Sequence, residues 1–210
     1  MKRILALVLA LVLTLALVAC GGKQANEPTP TGSQPTGTNE PAPGTPAAGG
    51  TIKIGLLGCI TGEYAQYGIA VHNGAKLYIN KVNAEGGVNG KQIEIVEYDD
   101  KGDSTEAVNA FTRMVDNDGI TALIGSVLSG TTIAVVGEAN PINMPMISAS
   151  ATAAGVTYNE DTDTVFSNVY RVCFIDPFQG EKMAKFAAEV LSSKTAAVIY
   201  ETGNDYAVGL

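Results

Sequence analysis

From residue 51 onward the apolar positions switch repeatedly between two periods. Residues 52–57 (Ile-Lys-Ile-Gly-Leu-Leu) read as a buried strand. A helix is predicted over 64–84, with Ala75, Tyr78, Ile79 and Val82 at helical spacing and Gly86-Gly87 as a left-handed stop. Residues 92–98 alternate as a second strand, and Asp103 with Glu106 has capping-box spacing for a helix running to about 117. A third strand is predicted at 120–124, a helix at 131–139, a fourth strand at 145–148 and a fifth at 169–174. Pro177 then opens a helix predicted over 177–191, and 195–200 reads as a sixth strand.

Strands that alternate with helices are joined by right-handed crossovers. The expected fold class is therefore α/β, a doubly wound parallel sheet covered on both faces. Ligands of such sheets bind outside the carboxyl ends of the strands. That rule singles out four loops, at 58–68, 99–103, 125–132 and 149–155.

The first 50 residues follow neither period. Lys2 and Arg3 precede an apolar run from 4 to 18, broken only by Thr14, which has the form of a secretory signal and is too short to span a bilayer as a helix. Its end, Leu17-Val18-Ala19-Cys20-Gly21, resembles the bacterial lipobox. The resemblance implies a cut before Cys20 and a lipid on its sulfur, so residues 1–20 are expected to be a lipoprotein signal peptide. Acyl chains on Cys20 would partition into the bilayer at ~0.8 kcal/mol per buried CH2. Residues 21–50 hold six Pro, seven Gly and five Thr, with no aromatic residue and no Val, Ile, Leu, Met or Phe. Such a segment cannot offset its ordering entropy and is expected to be a disordered tether with an r.m.s. reach of roughly 30 Å.

Charge narrows the partners. The chain carries 13 Lys and Arg against 21 Asp and Glu, and 10 against 19 remain in 51–210. No basic cluster follows residue 3, so nucleic acid is not an expected partner.

Two of the four loops carry candidate chemistry. Gly125-Ser126-Val127-Leu128-Ser129-Gly130-Thr131-Thr132 leads straight into a helix, and Ser148-Ala149-Ser150-Ala151-Thr152-Ala153 is equally small and rich in hydroxyls. Hydroxyls and free N–H groups at a helix N-terminus favour an anion such as a carboxylate or phosphate. Capping and turn chemistry account for either loop taken alone, whereas two at adjacent strand ends would surround an anionic group with neutral donors. Enzyme readings fare poorly: there is no GxGxxG, Walker loop or GxSxG, and the single His, His72, lies mid-helix away from the strand ends. The acidic run from Glu97 to Asp103 lacks the spacing of a calcium loop and reads as solvated. No metal or cofactor is expected. Cys59 and Cys173 read as buried free thiols, with a disulfide as the alternative.

The residues in order resemble a known family. Ile52-Lys53-Ile54-Gly55, Ala65-Gln66-Tyr67-Gly68, Asn83-Ala84-Glu85-Gly86-Gly87-Val88-Asn89-Gly90, Tyr98-Asp99-Asp100, Ile124-Gly125-Ser126, Pro145-Met146-Ile147-Ser148 and Asp176-Pro177-Phe178-Gln179-Gly180 are similar to the type I periplasmic binding proteins. The likeness is to the Leu/Ile/Val-binding branch that serves ABC importers, and it runs over nearly all of 51–210.

The resemblance implies that 51–175 is the N-terminal ligand-binding lobe and that 176–210 begins a C-terminal lobe, with the chain expected to stop inside the loop holding Tyr206. It assigns Ser129 and Thr152 to a ligand α-carboxylate and the Ser150 carbonyl to its ammonium. It places Tyr67 at the border of the ligand, Val127 and Leu128 as an apolar wall, and Tyr206 in the mouth. A small aliphatic amino acid, ABC permease subunits as partners and a monomer anchored outside the cytoplasmic membrane through Cys20 follow from the same likeness. The same fold as a sensor for another small ligand, an amide or an aromatic acid, is the alternative.

Overall fold

The structure is a computed structural model that describes residues 50–210. The signal, Cys20 and nearly all of the tether lie outside the described residues. Among the described residues no helix is long and apolar enough to cross a membrane.

Five parallel strands form the main sheet: β1 (Thr51–Gly58), β2 (Gln92–Asp99), β3 (Ala122–Ile124), β4 (Met146–Ser148) and β7 (Val169–Arg171). Their spatial order is β2-β1-β3-β4-β7. The chain steps from β1 to one side and then back past it to the other. The reversal falls between β1 and β3, so the crevice expected of an open α/β sheet lies where Gly58 ends β1 and Gly125 follows β3.

The helices are α1 (Ala65–Ala84), α2 (Ser104–Arg113), α3 (Ser129–Ala139), α4 (Asp176–Lys185) and the short α5 (Asp205–Gly209). Asp103 caps α2 as its spacing predicted, its side chain accepting from the Glu106 N–H at 2.9 Å. That helix keeps α-geometry only to Arg113, and one wider turn, Met114–Asp118, carries it to Gly119 in the left-handed region at φ 68°. Leu57, Phe111, Met114, Leu123, Val135, Met146 and Val156 form the core between the sheet, α2 and α3. Removing a fully buried side chain of that kind from water contributes roughly 1.5–3 kcal/mol.

Several expectations need correction. Residues 195–200 form no strand: a strand requires a hydrogen-bonded neighbour, none of the described strands pairs with this segment, and Ile199 is 98% exposed. The fifth predicted strand stops at Arg171 instead of 174, where the chain turns toward α4. An antiparallel pair, β5 (Tyr158–Asn159) with β6 (Thr164–Val165), was not predicted. It folds over the C-terminal half of α3 and leaves a recess of about 490 Å³. On α1 only Ile79 of the predicted apolar face is buried, while Tyr78 is exposed. The buried stripe runs through Gly68, His72 and Ile79.

The acidic run is not a solvated loop. Glu97 is bonded to His72 Nδ1 at 2.8 Å and to Lys76. Asp99 accepts from the N–H groups of Ile60, Thr61 and Lys101 and from the Thr61 hydroxyl. Asp100 is fully buried. Among the described residues no group of three or more His, Cys, Asp and Glu side chains is placed to hold a metal ion. Cys59 and Cys173 are free thiols, but only Cys59 is fully buried.

Candidate functional site

The loops after β3 and β4 are stitched together by their own hydroxyls. Ser148 Oγ donates to the Ser126 carbonyl at 2.8 Å, and Ser150 Oγ donates to the Val127 carbonyl at 2.7 Å. The Ala153 N–H donates to Ser129 Oγ at 3.2 Å. Small residues are needed here because the two backbones lie a single side chain apart.

Helix α3 starts at Ser129, two residues earlier than its predicted start at 131, after an extended Leu128. Its first intrahelical bond runs from the Thr132 N–H to the Leu128 carbonyl at 3.0 Å. The N–H groups of Ser129, Gly130 and Thr131 therefore precede the helix's own acceptors, at its partly positive end. Ser129 Oγ spends an acceptor site on Ala153 and keeps its proton to donate.

Beneath that terminus lies a buried polar chain. Asp100 accepts from Ser126 Oγ, Ser126 Oγ lies 2.9 Å from Thr131 Oγ1, and the Gly102 N–H donates to Asp100 at 2.9 Å. Burial pushes the Asp100 carboxyl above its ordinary range, and the Ser126 and Gly102 hydrogen bonds oppose this only in part. In Asp99 burial acts in the same direction, but the hydrogen bonds from Thr61, Lys101 and Ile60 outweigh it and hold the carboxyl low. The two neighbouring carboxylates thus serve different ends, Asp99 tying the 60–61 turn to β2 and Asp100 tying β2 to the loop after β3.

Tyr67, Val127, Leu128, Ser129, Ser150, Thr152 and Tyr206, the seven predicted site residues, all line one cavity of about 550 Å³. Ser129 and Thr152 are nearly buried, Val127 is buried and Tyr67 is exposed. Tyr206 reaches the cavity from α5, its hydroxyl accepting from Gln179 Nε2 at 3.0 Å. Beyond the seven, the wall includes Tyr64, Phe174, Gln179, Glu201 and Asp205, and Asp100, Ser126 and Arg171 support it from behind. Arg171 had a usable signal: an arginine in an otherwise apolar strand needs acceptors nearby. Glu201 and Asp205 are the charged residues of the lining, which contains no Lys, Arg or His. Asp205 Oδ2 sits beside Gly130, 2.9 Å from where a β-carbon would stand.

A cavity of this size with hydroxyls and free amides at one end and aliphatic walls beside them can hold a small molecule that has a carboxylate and an apolar tail. The sequence pattern of the periplasmic binding protein family matches residues 51–210. The chain is 38% identical over 154 residues to the leucine-, isoleucine-, valine-, threonine- and alanine-binding protein of Pseudomonas aeruginosa, covering 73% of this chain and 40% of that protein. The branched-chain amino acid transporter substrate-binding protein LivJ from Streptococcus pneumoniae, solved with isoleucine, superposes with a TM-score of 0.69 at 36% identity over 76% of this chain and 44% of its own. A solute-binding protein of an ABC transporter from R. palustris, solved with benzoate, superposes with a TM-score of 0.59 at 28% identity over 67% of this chain and 37% of its own. The chain spans about two fifths of the length of the curated relatives it matches. The five-strand parallel sheet with its flanking helices is the type I periplasmic binding fold, and the chain belongs to the periplasmic binding protein family.

Proposed function

We propose that this chain is the ligand-binding N-terminal lobe and the start of the second lobe of a substrate-binding lipoprotein of an ABC importer, and that it takes a small aliphatic amino acid. The observation that carries the reading is the convergence of the Ser129 hydroxyl, the first-turn N–H groups of α3 and Thr152 on the same cavity as Val127 and Leu128. In this reading Ser129 and Thr152 hold the α-carboxylate. The Ser150 carbonyl accepts from the ammonium, Tyr67 and Tyr206 border the ligand, and Val127 with Leu128 faces its side chain. Neutral donors bind the carboxylate without the desolvation of a buried countercharge. The aliphatic wall contributes roughly 25 cal/mol per Å² of side chain covered. Cys20 carries the lipid that holds a monomer outside the cytoplasmic membrane, where permease subunits receive the amino acid.

The charge of the lining favours this over an aromatic acid of the kind bound by the R. palustris protein. Glu201 and Asp205 make the lining negative, a charge that the ammonium of a zwitterion offsets and that nothing in benzoate offsets. A thermal-shift screen tests the choice, since a ligand at 100 times its Kd raises stability by about 2.7 kcal/mol. Leucine, isoleucine or valine is expected to raise the melting temperature while benzoate does not. A shift with benzoate and none with the aliphatic amino acids would replace this reading with the other.

A further inference from the structure

Arg171, at the end of β7, lies behind the loop that carries Thr152. Its Nη1 donates to the carbonyls of Ala151 at 3.1 Å and Ala153 at 2.9 Å. Its Nη2 donates to the Ala154 carbonyl at 3.1 Å and to Thr157 Oγ1 at 2.7 Å. One half-buried guanidinium thus gathers three carbonyls from four consecutive residues. The remaining carbonyl, that of Thr152, accepts from the Asp176 N–H at 3.1 Å.

A trans peptide sets its N–H antiparallel to its C=O. With the Ala151 carbonyl held on the guanidinium, the Thr152 N–H in the same peptide points the opposite way. Thr152 lines the cavity and Arg171 does not. The amides on either side are already used, Ala151 N–H on Ser148 Oγ at 3.1 Å and Ala153 N–H on Ser129 Oγ at 3.2 Å. The Thr152 N–H is the one that this arrangement turns toward the ligand side. The guanidinium also polarises that peptide and makes the N–H a stronger donor.

We propose that Arg171 is a positioning residue that aims the Thr152 N–H at the ligand carboxylate, a role that rests on the amino-acid-binding reading. Lysine does not replace it, because a single ammonium cannot span acceptors that the planar fork reaches through two nitrogens. A residue that merely stabilised the fold would affect every ligand alike, whereas an aiming residue affects the carboxylate selectively.

The test follows backbone amide resonances while L-leucine, or 3-methylbutylamine with the same side chain and no carboxylate, is titrated into the wild-type chain and into Arg171→Lys and Arg171→Met. The expected result is a loss of leucine affinity on the order of tenfold in both variants, with 3-methylbutylamine unchanged. The Thr152 amide should also be displaced before any ligand is added, while that of Ser129 stays in place. Should Arg171→Met fail to fold, Arg171→Lys carries the same comparison. Equal losses for the two ligands, or an unmoved Thr152 amide, would overturn the proposal. If wild-type chain gives no saturable leucine shifts, the amino-acid reading fails, and the Thr152 amide without ligand still decides whether Arg171 orients that peptide.

Discussion

Gly125→Ala is expected to destabilise the chain by roughly 3–5 kcal/mol, combining backbone strain with overpacking. For a domain of this size the midpoint of thermal unfolding should fall by roughly 10 °C. Gly125 follows β3 at φ 135°, a conformation that L-residues rarely adopt, and a β-carbon there would stand 2.1 Å from the Leu57 carbonyl oxygen. That oxygen belongs to β1, an interior strand paired on both sides with β2 and β3, so the side chain has nowhere to go unless the loop from 126 to 131 moves. Gly137→Ala is the control. Gly137 lies inside α3 with open space around it, and the same methyl there should raise stability by up to about 1 kcal/mol through helix propensity. Thermal or chemical unfolding followed by circular dichroism separates the two. Similar midpoints for both variants would mean that the close approach of β1 to the β3 loop is not what holds the site.

The second large effect concerns binding. Ser129→Ala should weaken an aliphatic amino acid by about 1–3 kcal/mol, roughly 5- to 150-fold in Kd. The change removes the proposed carboxylate donor and also leaves the Ala153 N–H without its acceptor. Ser150→Ala provides the contrast. Its hydroxyl serves the Val127 carbonyl, and its proposed contact with the ligand is through the backbone. The Ser150 variant should lose stability but little affinity. Titration calorimetry checks the order of the two, and a Ser150 variant weaker than the Ser129 variant would reverse the roles assigned to these loops.

Much of this architecture was legible because long elements repeat their period. Helix α1 and strands β1 and β2 lie within one residue of their expected bounds, since each is a long element closed by turn residues, although α1 buries a different stripe from the one its spacing predicts. The β5–β6 pair was illegible for the opposite reason: two-residue strands around a polar turn have no period to read. Residues 195–200 have strand composition, yet composition supplies no partner, and pairing is a property of the neighbour. The position of the candidate site came from a topological rule, that ligands gather at strand ends, which brought the 125–132 and 149–155 loops into view before any contact was known. The supports behind it were hidden. Asp100 sits in a run of charges that suggests water, and its burial depends on Ser126, which is distant in sequence and adjacent in space.

A leucine-like zwitterion is expected to bind where the loops after β3 and β4 meet the start of α3. Amide shift mapping during titration of L-leucine into the chain tests it directly. Saturable shifts should concentrate on Val127, Leu128, Ser129, Gly130, Ser150 and Thr152. Shifts concentrated instead on Ile133, Gly137, Tyr158 and Phe166, in the recess between α3 and the β5–β6 pair, would contradict it.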